Sequence, residues 1–260
     1  MRSTLCWFSG TGNSKTVALD IARSLPFDHV GSMEELAQRP EPLEETRVLG
    51  LVFPIYFFGP PETVRRFILE TLGSADLDLD YLFIVFTHGG MPIYGASMTD
   101  RLLADAGYAA SYVTGISMVD TYIPLFRMPS EHQKRRAHAK IARRLTTVIQ
   151  QLGEQQMQVA TRLPFSRLYQ TIWERLLRAR GAKDKQFVVT DACTGCGICA
   201  HVCPVENIVI ASARPQFQHR CEQCFACYHR CPEHAIERSP RPLRGYSWYI
   251  PPKTFIGEES

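Results

Sequence analysis

Along the first 120 residues, apolar positions follow two rhythms that alternate. Ser3 to Phe8, Arg47 to Phe53 and Tyr81 to Thr87 are short, mostly apolar runs, the pattern of a strand buried on both faces. Between them, apolar residues return at helical spacing. Val17, Ile21 and Leu25, with Ala18 and Ala22 beside them, predict a helix over Ser14 to Leu25. Thr63 to Leu72 and Ser97 to Ala106 read as helices too, and Ser111 to Met118 as another strand. This alternation predicts an α/β domain, a parallel sheet with helices on both faces.

The pattern then changes. Ser130 to Leu152 predicts a long helix with Ile141, Leu145, Val148, Ile149 and Leu152 on one side. Its other side carries Lys134, Arg135, Arg136, Lys140, Arg143 and Arg144, read as a solvated basic face. Leu163 to Arg180 predicts one more helix, and residues 181–185 form a polar joint. The expected division is 1–153 for the α/β domain, 154–185 for a helical linker, 186–239 for a cysteine-rich domain and 240–260 for a tail. That tail, rich in Pro, Tyr and Trp, is apolar enough to pack back on the body.

Charge and cysteine usage narrow the function. The formal net charge is +3, but residues 1–126 carry −7, residues 127–185 carry +10, and the remainder is neutral. A basic segment confined to the middle, without a recognition motif, does not describe a nucleic-acid binder. No apolar run approaches the ~20 residues of a membrane helix. The N-terminus lacks a signal-peptide pattern, and the chain reads as soluble and cytoplasmic. Of the nine cysteines, eight lie between Cys193 and Cys231. In a reducing compartment such crowding points to thiolate ligands rather than disulfides. The ninth, Cys6, sits in the first strand as a small buried hydrophobe.

The eight cysteines form a repeat at an offset of 28 residues. Cys193, Cys196, Cys199 and Cys203, followed by Pro204, align with Cys221, Cys224, Cys227 and Cys231, followed by Pro232. Both runs fit C-x2-C-x2-C-x3-C-P. Three cysteines at this spacing wrap one cubane, and the fourth faces away to the other cluster. The predicted ligand sets are Cys193, Cys196, Cys199 and Cys231 for one [4Fe-4S] cluster, and Cys221, Cys224, Cys227 and Cys203 for the second. Zinc is the alternative, but its four-cysteine sites use two separated pairs rather than a triple plus one. The segment resembles two-cluster bacterial ferredoxins, which implies a small α+β ferredoxin-like domain. His201 and His229 stand at equivalent places in the repeats, candidates for tuning potentials or simply exposed.

Ser9, Gly10, Thr11, Gly12, Asn13 and Ser14 join the first strand to the first helix. A phosphate here would meet free backbone N–H groups and the positive end of the helix dipole. The glycines let the backbone approach, and the hydroxyls and the Asn13 amide add donors. A Walker A loop is excluded because no Gly-Lys-Ser/Thr follows, and Lys15 stands where a dinucleotide fingerprint needs its third glycine. Pro54, Ile55, Tyr56, Phe57, Phe58 and Gly59 follow the next strong strand, and Thr87, His88, Gly89 and Gly90 the one after. In doubly wound sheets such loops converge on a ligand at the switch point. Residues 3 to about 150 resemble flavodoxins, with the S/T-x-T-G-x-T/S phosphate loop. The resemblance implies bound FMN, with Tyr56 or Phe57 stacked on the flavin ring and Gly89 and Gly90 near its reactive edge. Thr87 to Gly90 offers no aromatic where flavodoxins often have one, and Tyr94 is the nearest, which leaves one flavin face open.

The whole chain resembles the flavodoxin–ferredoxin fusion proteins of anaerobic bacteria and archaea. That resemblance implies an electron-transfer flavoprotein, fed by a low-potential redox partner protein through the clusters. The competing expectation is an FMN-dependent reductase of a quinone or nitro compound.

Overall fold

The computed structural model describes residues 2–90, 92–161, 163–178, 181–239 and 248–257. Five parallel strands form the main sheet: β1 (Arg2–Trp7), β2 (His29–Ser32), β3 (Thr46–Pro54), β4 (Tyr81–His88) and β5 (Tyr112–Ser117). Their order is β2-β1-β3-β4-β5, the flavodoxin-like winding. The order reverses between β1 and β3, so the loops leaving these two strands part at the sheet's switch point.

The central strands β3 and β4 are buried on both sides because their alternate residues enter different cores. On β3, Leu49, Leu51 and Phe53 join one apolar cluster and Val52 the other. The first cluster packs under α2 (Met33–Gln38), α3 (Glu62–Arg66) and α4 (Gly95–Asp105) through Leu36, Val64 and Leu102. The second lies under α1 (Asn13–Ser24) and α5 (Glu131–Gly153), with Val17, Ile21, Ile141, Leu145 and Val148 at its centre. Gly50 is required on that side, because a Cβ there would run into the Phe83 ring and Leu5.

The structure departs from the sequence expectations in three places. The helix expected over Thr63 to Leu72 starts as α3, widens into a π-turn over Phe67–Thr71 and tightens at Leu72–Ser74. Strand β2 and helix α2 had no forecast: four residues, His29 to Ser32, are too few to show a period, and α2 begins where Ser32 caps the Glu35 N–H at 3.1 Å. Lys134 is not part of the solvated face. It is buried, donating to Glu131 at 2.8 Å and to the Trp248 carbonyl at 3.4 Å, while Arg135, Arg136, Lys140 and Arg143 are exposed.

Helix α6 (Ser166–Arg178) lies against α4, with Trp173 fully buried and Tyr169 stacked on Tyr94 at 4.1 Å. The cysteine-rich part is built from two short antiparallel pairs. They are β6 (Phe187–Val189) with β9 (Ile236–Arg238), and β7 (Ile208–Ala211) with β8 (Arg214–Phe217). Its short helices, α7 (Ile198–His201) and α8 (Ala226–His229), sit 28 residues apart, the offset of the cysteine repeat. No helix among the described residues is long and apolar enough to cross a membrane.

The described part of the tail packs on the body. Asp20, with no exposed surface, accepts hydrogen bonds from Phe255 N at 2.7 Å, Thr254 Oγ1 at 2.6 Å and Arg23 Nη1 at 2.6 Å. Phe255 enters the α1–α5 core. Residues 240–247 of the expected tail lie outside the described residues. Asp20→Ala removes the acceptor for a buried backbone N–H, a loss of about 2–3 kcal/mol. Denaturant unfolding should show that loss, and limited proteolysis should cut the variant near Lys253 where the parent resists.

Candidate functional site

The loops at the carboxyl ends of the main sheet surround a cavity of about 480 Å³. Of the sequence-predicted residues, Ser9, Gly10, Thr11, Asn13, Ser14, Pro54, Ile55, Tyr56, Phe57, Phe58, Thr87, His88, Gly89 and Gly90 line it. Gly12 and Gly59 do not. Gly12, at φ 115°, begins α1 in a conformation that favours glycine, and its open side faces Pro251 of the tail and Arg230. Gly59 closes a tight hairpin with Tyr56, the two exchanging hydrogen bonds at 2.9 and 3.2 Å, and its bare Cα receives the Trp173 indole.

No side chain caps the start of α1, so its first N–H groups remain for an anionic ligand of the loop. Ser14 Oγ meets Thr87 Oγ1 at 2.8 Å and ties this loop to the end of β4. Asn13 also braces the loop. Its amide donates to the Val119 carbonyl at 3.2 Å, and its oxygen accepts from the Tyr249 hydroxyl at 3.2 Å. Burial lowers the His88 pKa, and its Nδ1 lies against the Gly90 carbonyl. Gly89 must lack a side chain because Asp120 occupies that space. Burial raises the Asp120 carboxyl, which accepts from Tyr122 N at 2.8 Å.

Sequence reasoning missed a fourth wall. Met118, Val119, Asp120, Thr121, Tyr122, Leu125 and Phe126, in the loop after β5, also line the cavity. Tyr122 meets Phe57 edge-on at 4.7 Å, supplying the aromatic that Thr87 to Gly90 lacks. Tyr94 is instead stacked on Tyr169. The signal in the sequence was the run 118–126 at the end of the last strand, where a doubly wound sheet places its loops. Phe57 and Phe58 turn with φ of 52° and 74°, left-handed values that bulky residues adopt at a cost of about 1–3 kcal/mol each.

The cavity's fifth wall comes from the cysteine-rich domain, as Gln223 and Cys224. At Gly10 a Cβ would collide with the Cys224 side chain and the Tyr56 hydroxyl. Burial first, then Cys224 and Glu222, push the Tyr56 phenol well up, while a hydrogen bond from the Gly10 backbone opposes them. Five hydrogen bonds among the described residues tie the domains at this point: Glu222 accepts from Thr63 N and Oγ1 at 2.7 Å each, Tyr122 Oη donates to Gln223 at 3.4 Å, His229 Nε2 donates to the Thr121 carbonyl at 3.0 Å, and Arg230 donates to the Thr11 carbonyl at 3.4 Å.

The eight cysteines fall into two groups. Cys193, Cys196, Cys199 and Cys231 line one small void. The Cys199 thiol is raised by burial and then by the other three of this set. The Cys227 thiol is raised by burial, then by Cys224, Cys221 and Cys203, with Cys199 last. Each group therefore joins three cysteines of one run to the fourth of the other. Among the described residues no three His, Cys, Asp or Glu side chains gather as ligands of a single ion. Four thiols around a void suit a cubane, which takes one thiolate at each of its four irons. Backbone N–H groups already point at the sulfurs, from Asn207 to Cys203 at 3.2 Å and from Ala235 to Cys231 at 3.3 Å.

His201 and His229 part company despite the repeat. His201 is exposed, whereas His229 is buried, donating from Nε2 and accepting the Tyr249 N–H at Nδ1 at 3.3 Å. Cys6 is fully buried in β1, and burial pushes its thiol up, as expected of an inert core residue. Asn13→Ala should free both the Val119 loop and Tyr249, at about 1–3 kcal/mol by thermal unfolding.

Residues 185–232 match the family described as 4Fe-4S dicluster domain. No curated protein matches the chain. Solved structures similar to it include a flavodoxin from the domain Archaea, at 14% identity and TM-score 0.39, covering 56% of this chain and 99% of that one. The Trp repressor binding protein from Bacillus subtilis aligns at 14% identity and TM-score 0.39, over 58% of this chain and 96% of its own. A short-chain flavodoxin associated with a non-canonical PDU bacterial microcompartment gives 18% identity and TM-score 0.36, over 57% and 99%. The strand order defines the first domain and the family match the second: the chain joins a flavodoxin-like domain to a 4Fe-4S dicluster domain.

Proposed function

We propose that the chain is an electron-transfer protein that holds FMN in the sheet-end cavity and two [4Fe-4S] clusters on its eight cysteines. The observation that carries this reading is the shared wall: Gln223 and Cys224 border the same cavity as the phosphate-type loop. Clusters pass single electrons whereas flavin accepts one or two, so a chain holding both converts between the two kinds of chemistry.

The chain's own residues do the positioning. The N–H groups opening α1 and the hydroxyls of Ser9, Thr11 and Ser14 hold the phosphate. Phe57 and Tyr122, set edge to face, form an aromatic corner for the ring system. Pro54, Ile55 and Met118 add apolar lining that excludes water. Neutral His88, held against Gly90, and the bare backbone of Gly89 and Gly90 stand where a ring edge is read. The source or sink of the electrons is an external redox protein.

A second reading has its own support: Leu125 and Phe126, 72% and 50% exposed, rim the cavity mouth and suit a small apolar substrate. Both readings are tested by anaerobic reconstitution with FMN, ferrous iron and sulfide, followed by flavin, iron and sulfide analysis. The expected result is one FMN and two [4Fe-4S] clusters per chain. Clusters without retained flavin would overturn the assignment of the cavity. Steady-state turnover of a quinone panel near ~10 s⁻¹ would replace the carrier by the reductase.

A further inference from the structure

The cysteine runs repeat in sequence, yet the fold uses them unequally. In the first run the left-handed positions are glycines, Gly195 at φ 73° and Gly197 at φ 79°. Their counterparts 28 residues later are Gln223 at φ 58° and Phe225 at φ 60°. The turns are common to both runs, so the difference lies in the side chains: a glutamine and a phenylalanine hold, at a steric cost, positions that glycines hold in the first run. Both side chains are engaged by the flavodoxin-like domain. Gln223 takes the Tyr122 hydroxyl and borders the cavity, and Phe225 is buried edge-on against Tyr122 at 5.4 Å.

The first run stays within its own domain and near solvent. Gly195 faces Ala213, and Gly197 faces Ile210 at 3.9 Å. Cys196 is exposed, and Ile198 and Ile210, which line the same void, are 38% and 39% exposed. At the other run Cys224, the counterpart of the exposed Cys196, is half-buried and presses on Gly10, where any side chain would displace it.

Resting on the proposed function, we propose that the clusters act in a fixed order. The cluster on Cys193, Cys196, Cys199 and Cys231 is the outer one and exchanges electrons with an external one-electron redox protein. The cluster on Cys203, Cys221, Cys224 and Cys227 is the inner one, and the contact of Cys224 with Gly10 is its junction to the flavin cavity. Each step moves one electron and breaks no bond. With an external donor, the donor would be oxidised as the outer cluster is reduced, the outer reoxidised by the inner and the inner by the flavin; with an external acceptor the same order would run in reverse.

The test uses full-length protein with both clusters reconstituted and reduced by dithionite, read by EPR. Ile210→Lys places a charge beside the outer void and identifies the outer signal as the one it shifts. Gly10→Ala, 214 residues from Cys224 in sequence, should shift the other signal without FMN present. Adding FMN to the parent protein should then shift the same signal as Gly10→Ala. If FMN shifts the Ile210→Lys signal instead, the order is wrong while the flavin site stands. If Gly10→Ala shifts neither signal, the junction does not exist and the proposal falls. If FMN is not retained although Gly10→Ala acts, the cavity reading fails and the order, which needs an acceptor there, falls with it.

Discussion

Gly10 presents bare backbone to Cys224 and to the Tyr56 hydroxyl, and around this point the two domains become one site. A close approach of this kind is short-ranged. Dispersion between packed atoms fades within an ångström, so the contact survives only if the second domain is held in register. Glu222 on the Thr63 N–H, His229 on Thr121 and Tyr122 on Gln223 provide that register from three directions. The left-handed turns at Gln223 and Phe225 belong to the cysteine run itself, since Gly195 and Gly197 share them; what the boundary adds is contact for the side chains that replace the glycines.

The tail extends the same logic. Tyr249 connects His229 on the cysteine-rich side with Asn13 on the phosphate-type loop, and Pro251 fills the space left by Gly12. Further on, Asp20 fixes Thr254 and Phe255 to α1. A chain end thus laces the start of α1, the second cysteine run and the α1–α5 core together. Lys134 is drawn out of solvent for the same purpose, holding the Trp248 carbonyl.

Much of this was legible in the sequence, for reasons that differ by element. The strands β1, β3, β4 and β5 announced themselves because burial on both faces demands continuous apolar runs. The cysteine runs did so because a cubane imposes its own spacing. Fourteen of the sixteen expected loop residues line the cavity, since a doubly wound sheet brings strand-end loops together whatever their sequence. What stayed hidden depended on contacts distant in sequence. Four residues of β2 carry no period. The helical spacing of Lys134 gave no hint of the tail that covers it. That Asn13 also braces Val119 and Tyr249 could not be read from its place in the loop. Gly59 looked like part of the ligand loop, whereas its missing side chain admits Trp173. The left-handed turn at Gln223 and Phe225 was the least readable, because neither residue advertises that conformation.

The central claim is that the cysteine-rich domain forms one wall of the sheet-end cavity proposed to hold flavin. Diffraction at the iron absorption edge from crystals of the reconstituted, FMN-bound protein tests it most directly. The account predicts two groups of iron, the nearer among Cys203, Cys221, Cys224 and Cys227 and directly behind the loop at Gly10, with flavin density between Phe57, Tyr122 and Gln223. Iron lying away from the sheet-end cavity, with flavin walled by the first domain alone, would contradict it.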